Sequence, residues 1–257
     1  MKMISYQVED QIARIGLAHA PANAVDERML SALIESLDKA AGDPQVRAVV
    51  LCSEVPKRFC SGLDLRLLHG AGEREVRRLL ERLYAELYEA QCRLGKPSIA
   101  AVEGAARGGG MTVAIACDVI VASDAASFGY PEIDIGVLPA IHFSHLPAIV
   151  GKHRAFELLF SGRTFDAQEA QNLGLLSRVV PQGQALSKAM ALARVFAAKP
   201  QTALRLGRTA FIESVGGAAR RAQIRAAIDT FCEVAATDEA REGIQAFAER
   251  RQPSWRT

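Results

Sequence analysis

Three apolar runs of strand length, each followed by a glycine-containing loop, constrain this chain more than any other feature. They are Val46 to Cys52, Ser98 to Val102 and Val119 to Ala122. A strand that is apolar along its length, rather than at alternate positions, is buried on both faces, as in sheets covered by helices. The fold class is therefore α/β. Val8 to Leu17 reads as a hairpin turning through Glu9-Asp10-Gln11. Asp26 caps a helix with Leu30, Leu33, Ile34 and Leu37 on one face, and Gly42 ends it. A longer amphipathic helix is predicted from Glu73 to Leu94, with a stripe of Val76, Leu79, Leu80, Leu83 and Leu87. Gly108-Gly109-Gly110 opens a short helix to Cys117. From Lys152 onward the pattern is helical almost throughout, and only Arg178 to Val180 reads as a strand. The division that follows is an α/β core over 1–190 and a helical region over 191–257.

Composition narrows the class of function. With 257 residues, 49% of them apolar, the chain can bury a full core. Its 31 basic and 29 acidic residues leave a net charge of +2, too balanced for a nucleic-acid or membrane-surface footprint. The five cysteines are odd in number, scattered and without CxxC spacing, so they read as reduced thiols in a cytoplasmic protein. The first ten residues turn acidic without an apolar core, unlike a signal peptide, and Asp118 interrupts the best apolar stretch.

The chemistry lies in the loops. Phe59-Cys-Ser-Gly-Leu-Asp-Leu65 and Glu103-Gly-Ala-Ala-Arg-Gly-Gly-Gly-Met-Thr112 each follow a buried strand, and the second leads into a helix. Glycines there let a ligand approach the backbone, and the free N–H groups of a helix start favour negative charge. A tight turn alone would also explain them. Neither loop has GK[ST] or GxGxxG, which argues against an ATPase or an NAD enzyme.

Read in order, NAVDERML, FCSGLDL, AARGGG, ACDVIVASDAASFGYPEIDIGVLP, SGRTFDAQEAQNLGLLSRVV and AREGIQAFAERRQPSW resemble the crotonase (enoyl-CoA hydratase/isomerase) family. The likeness runs from about residue 4 to the C-terminus. It implies a crotonase-like spiral of ββα repeats with a C-terminal helical trimerisation region, a homotrimer or homohexamer, and an acyl-CoA substrate. Coenzyme A would enter as part of that substrate, with no permanently bound cofactor, no metal, no nucleic acid and no membrane partner. The resemblance also implies an oxyanion hole of two backbone N–H groups, at Leu63 and Gly109. Such donors hold the charge that builds on a thioester oxygen, each worth roughly 3–4 kcal/mol.

The family's hydratases resemble one another in carrying two glutamates. Here the second is Glu132, in the Pro-Glu motif, while the first position holds Thr112. A threonine hydroxyl can hydrogen-bond water but cannot exchange a proton at neutral pH as a carboxylate does. One base suffices for a 1,3-proton shift, so double-bond isomerisation with Glu132 as general acid/base ranks ahead of hydration. His142 and His145 replace a glycine-rich stretch of the hydratases; they either line a helix or supply a second proton-transfer group. Their spacing alone does not make a metal site, and Asp134 reads as a solvated or structural carboxylate. For coenzyme A, the resemblance points to the backbone of Ala20, Ala22 and Ala24, to Lys57 and Arg58 near the phosphates, and to Phe247 and Arg250, commonly from a neighbouring subunit. Two rivals stand beside this reading. One is a catalytically silent scaffold, and the other is a serine hydrolase using Ser61 or Ser144.

Overall fold

The buried runs become the middle of a sheet. In the computed structural model, which describes residues 3–256, β1 (Ile4–Glu9), β2 (Ile12–Leu17), β3 (Ala48–Ser53), β5 (Ser98–Val102), β7 (Val119–Ser123) and β10 (Arg178–Val180) form a six-stranded sheet in the order β1-β2-β3-β5-β7-β10. Only the β1–β2 pair is antiparallel. Its hairpin is longer than the sequence suggests and turns on Asp10 and Gln11, both at positive φ, as a two-residue turn between twisted strands requires.

A second sheet was hidden in the sequence. Strands β4 (Arg58–Cys60), β6 (Ala105–Arg107), β8 (Ser127–Gly129) and β9 (Thr164–Asp166) form a four-stranded sheet in that order, and the first three run parallel. The pairs β3–β4, β5–β6 and β7–β8 each place one strand in the large sheet and the next in the small one. This is the repeating ββ unit of the expected spiral. β9 corrects the reading of the last third as having a single strand.

Helix α1 (Glu27–Gly42) starts where predicted, with the Asp26 carboxylate accepting from the Met29 N–H at 2.7 Å. It buries Met29, Leu30, Leu33 and Leu37 in the main core. The predicted long helix is instead α2 (Glu73–Leu80), a π-helical turn (Glu81–Glu86) and α3 (Leu87–Arg93). The short helices α4 (Gly109–Ile115), α5 (Leu146–Val150), α6 (Lys152–Ser161) and α7 (Ala167–Asn172) follow. Next, α8 (Ala185–Ala197) lays Ala185, Ala189, Met190 and Ala193 on the back of the large sheet against Ala48, Val50 and Ala101. Residue 190 therefore falls inside a helix that covers the core, and the helical region that leaves the sheet begins after it. Helices α9 (Gln201–Val215), α10 (Gly217–Ala235) and α11 (Asp238–Glu249) complete the chain, and α10 and α11 return Ile224, Ile228, Phe231 and Ile244 to the main core.

Candidate active site

The small sheet assembles the site. Because β4, β6 and β8 are parallel neighbours, the segments leaving their C-terminal ends emerge side by side, about 4.8 Å apart. Those segments are Ser61-Gly62-Leu63, Gly108-Gly109 and Tyr130-Pro131-Glu132. All three contribute to one cavity of about 250 Å³, whose other walls include Leu65, Leu83, Phe231 and Phe247.

Glycine is enforced here by contact. A Cβ on Gly62 (φ +89°) would lie 2.7 Å from the Arg107 carbonyl oxygen and 3.1 Å from the Gly109 nitrogen. A Cβ on Gly109 would lie 3.2 Å from the Leu63 nitrogen. The two amides predicted as oxyanion donors are therefore neighbours, and neither N–H has an acceptor among the described residues. Gly108 (φ +48°) has a different reason: a Cβ there would fall 2.2 Å from Glu132 Oε1. The carboxyl group of Glu132 thus rests against the bare backbone of the glycine triplet.

The electrostatics of Glu132 follow from that seat. Its Oε2 is buried and has no hydrogen-bond partner among the described residues. Burial without a counter-charge disfavours the ionised form, and the pKa is raised from 4.5 to about 7, opposed only by a backbone hydrogen bond. At neutral pH such a group both donates and accepts protons. The other carboxylate of the cavity, Asp134, is instead ion-paired with Arg256.

A profile of the enoyl-CoA hydratase/isomerase family matches residues 7–257. The chain belongs to that family. It is 34% identical over 259 residues to a probable enoyl-CoA hydratase of Bacillus subtilis, covering 100% of this chain and 99% of that one. To a putative enoyl-CoA hydratase of Thermus thermophilus it is 38% identical over 237 residues, with 90% and 91% covered. Among solved structures, a putative enoyl-CoA hydratase from Mycobacterium avium paratuberculosis superposes over the whole of both chains with a TM-score of 0.88 at 28% identity.

Thr112 and Glu132 line different, adjoining cavities. Thr112 is part of the smaller one, and its hydroxyl lies 3.4 Å from His142 Nε2. His142 is fully buried, its Nδ1 is 3.2 Å from His145 Nε2, and its ring packs on Tyr130 at 4.5 Å between centroids. Burial lowers the His142 pKa to about 3 and holds His145 well below the usual range, so both rings are neutral. They are not a titrating second acid. Ser144 donates its hydroxyl to the Ile141 carbonyl at 2.6 Å, and the histidine beside it is backed by a second histidine rather than a carboxylate. That weakens the hydrolase reading. Ser61 lines the Glu132 cavity.

The residues expected to meet coenzyme A divide into two groups. Phe247 lines the Glu132 cavity of its own chain, and Phe247 and Arg250 both line a hollow that shares Asp134 and Ile135 with it. Lys57 and Arg58 are exposed at the start of β4, and Ala20 is exposed with Ala22 and Ala24 half-buried. The Ala22–Val25 segment is laced to the oxyanion loop: Ser61 N–H donates to the Ala22 carbonyl at 3.0 Å, Val25 N–H to Gly62 at 2.8 Å and Asp64 N–H to Val25 at 2.9 Å. Asn23, whose side chain sequence reasoning passed over, anchors this lacing. It is fully buried, its amide donates to Ser53 Oγ and to the Phe59 carbonyl at 2.8 Å each, and its Oδ1 accepts from the His19 N–H at 2.8 Å. A lone asparagine flanked by alanines was the available signal.

Proposed function

We propose that this family member moves protons on the acyl chain of a CoA thioester, with Glu132 as the general acid/base and the N–H groups of Leu63 and Gly109 as the oxyanion hole. The observation that carries the reading is the Glu132 carboxyl group, seated against Gly108 with Oε2 unpartnered among the described residues and a pKa raised to about 7. A base of that pKa is matched to neutral solution, and general acid–base catalysis of this kind contributes typically 10²–10⁴-fold.

Among the reactions open to such a site, we favour migration of a double bond from the 3,4 to the 2,3 position. Glu132 takes a proton from C2, negative charge spreads to the thioester oxygen under the two amides, and the same carboxylic acid returns the proton to C4. Asp134 is engaged by Arg256 and Thr112 faces another cavity, which leaves one proton carrier in place. Hydration is the second reading, favoured by the names of the Bacillus and Thermus relatives. A catalytically silent scaffold is disfavoured by a carboxyl group held ready in this way. Incubating 3-enoyl- and 2-enoyl-CoA separately with the enzyme and weighing the products decides the matter, since isomerisation leaves mass unchanged and hydration adds water. Rapid water uptake by the 2-enoyl thioester in the Glu132→Gln variant would sink the assignment of Glu132.

Coenzyme A in this reading is a handle on the substrate, held by the 20–24 backbone, Lys57, Arg58, Phe247 and Arg250. We also propose a homotrimer or homohexamer, supported by the exposed apolar residues Phe156, Phe160, Phe211 and Val215. Light scattering measures the assembly directly. No helix among the described residues is long and apolar enough to cross a membrane.

A further inference from the structure

We infer that the acyl groups this enzyme prefers end in a carboxylate, received by Arg220 at the far end of a second cavity. The inference rests on the thioester reading above and adds the chemistry of the tail.

Leu83 and Tyr84, side by side on the π-helical turn, line the Glu132 cavity and also a hollow of about 90 Å³ behind it. That hollow runs along α4 past Thr112 and Ala116. At the rise of a helix, these positions lie about 5 Å and about 10 Å beyond Gly109, so a chain whose carbonyl is fixed there and which extends along α4 passes into the hollow. Its volume equals that of about three waters, enough for a carboxylate and the methylene before it.

The far wall is polar and cationic. Arg220 Nη1 donates to the Ser144 carbonyl at 2.9 Å, which fixes the guanidinium beside Ser144 and His145. It has no acidic partner among the described residues. Its neighbour Arg221 takes both acids of this region, Glu89 at 2.7 Å and Glu213 at 3.5 Å. No aspartate or glutamate lines the hollow, and its histidine is neutral. A partly buried guanidinium without a counter-charge is an unfavourable arrangement that a carboxylate relieves, through the planar fork that arginine presents to that group. An apolar tail would leave the charge as it was.

Binding of unreactive saturated thioesters tests this without requiring turnover. Calorimetry compares glutaryl-, adipoyl- and suberoyl-CoA with hexanoyl- and octanoyl-CoA on the full-length protein. At the best-fitting length the acidic tail should bind about tenfold or more tighter, as a charge-assisted hydrogen bond in a sheltered site does. Arg220→Gln retains a donor for the Ser144 carbonyl but no charge and should bring the ratio to about one, while Arg220→Lys should retain part of it. No preference for the acidic tail at any length, or a preference unchanged in Arg220→Gln, overturns the inference. A failure of the proton-transfer reading would show separately, as absent turnover of the matching enoyl thioesters with binding preference intact.

Discussion

Replacing Glu132 with glutamine should stop the chemistry and stabilise the protein in alkaline solution. The folded carboxyl group titrates near pH 7, whereas in the unfolded chain it titrates at the ordinary value of 4.5. Between those values the folded state holds a proton that the unfolded state has released. Stability from this group is thus fully present below about 4.5 and is lost as pH rises through about 7. Over that span, at about 1.4 kcal/mol per pH unit, the ionised native site is penalised by about 3 kcal/mol. The side chain as a whole keeps partial access to its cavity, although Oε2 is buried. Water there softens the field, and about 2 kcal/mol is the expected figure. Glutamine resembles the protonated acid, so any cost of its own buried amide is the same at every pH. The quantity to measure is the difference in melting temperature between variant and wild type at pH about 8.5, minus the same difference at pH about 5. At about 2–4 °C per kcal/mol for a domain of this size, that quantity should be about 5 °C in favour of the variant. A difference of zero, or of opposite sign, would mean that Glu132 is paired or solvated in the native protein, and the argument for its catalytic pKa would fall with it.

Leu63→Pro removes an N–H that serves no acceptor in the described protein and should abolish turnover of any CoA thioester, whereas Leu63→Ala should leave the chemical step largely unchanged; single-turnover kinetics distinguishes them. Gly108→Ala forces a methyl group onto Glu132 Oε1 and should lower kcat by about 100-fold, the scale of a 1 Å misplacement, while Gly42→Ala, where no atom lies within 4 Å, serves as the control that does not. Asn23→Ala leaves the Phe59 carbonyl and the His19 N–H without their partner; it should destabilise the fold by about 2 kcal/mol in denaturant titration and lower kcat more than affinity. The wild-type dependence of kcat/KM on pH should bend near pH 7 and lose that bend in Glu132→Gln, as measured with a spectrophotometric thioester assay.

How legible the site was depended on the length of the elements that build it. β3, β5 and β7 could be read because each strand is five or six residues of nearly uniform burial. β4, β6, β8 and β9 could not, since three residues carry no periodicity and their glycines and arginines mimic loop chemistry. Yet those strands bring Leu63, Gly109 and Glu132 to one cavity. Ordered motifs therefore singled out residues that share a cavity, while the sequence concealed the reason for their meeting. The π-helical turn was likewise invisible, because the stripe of Val76, Leu79, Leu83 and Leu87 is compatible with an unbroken helix. Thr112 occupies the position where the family's hydratases carry a carboxylate, but its hydroxyl lies against His142, a contact between distant segments that no local pattern announces. His142 and His145 gave no sequence sign of full burial, since the closing of α10 over them is a long-range event.

The strand-like lacing of residues 22–25 to residues 61–64 ties the loop proposed to meet the nucleotide to the amide proposed to meet the thioester carbonyl. In the function proposed above, a grip on the nucleotide by the outer loop and the polarisation of a carbonyl by the inner amide would be exerted through one hydrogen-bonded ribbon. A pantetheine thioester stripped of its nucleotide would then react slowly even when it saturates the enzyme, because attraction far from the reacting carbons would no longer help to seat the carbonyl under the amides.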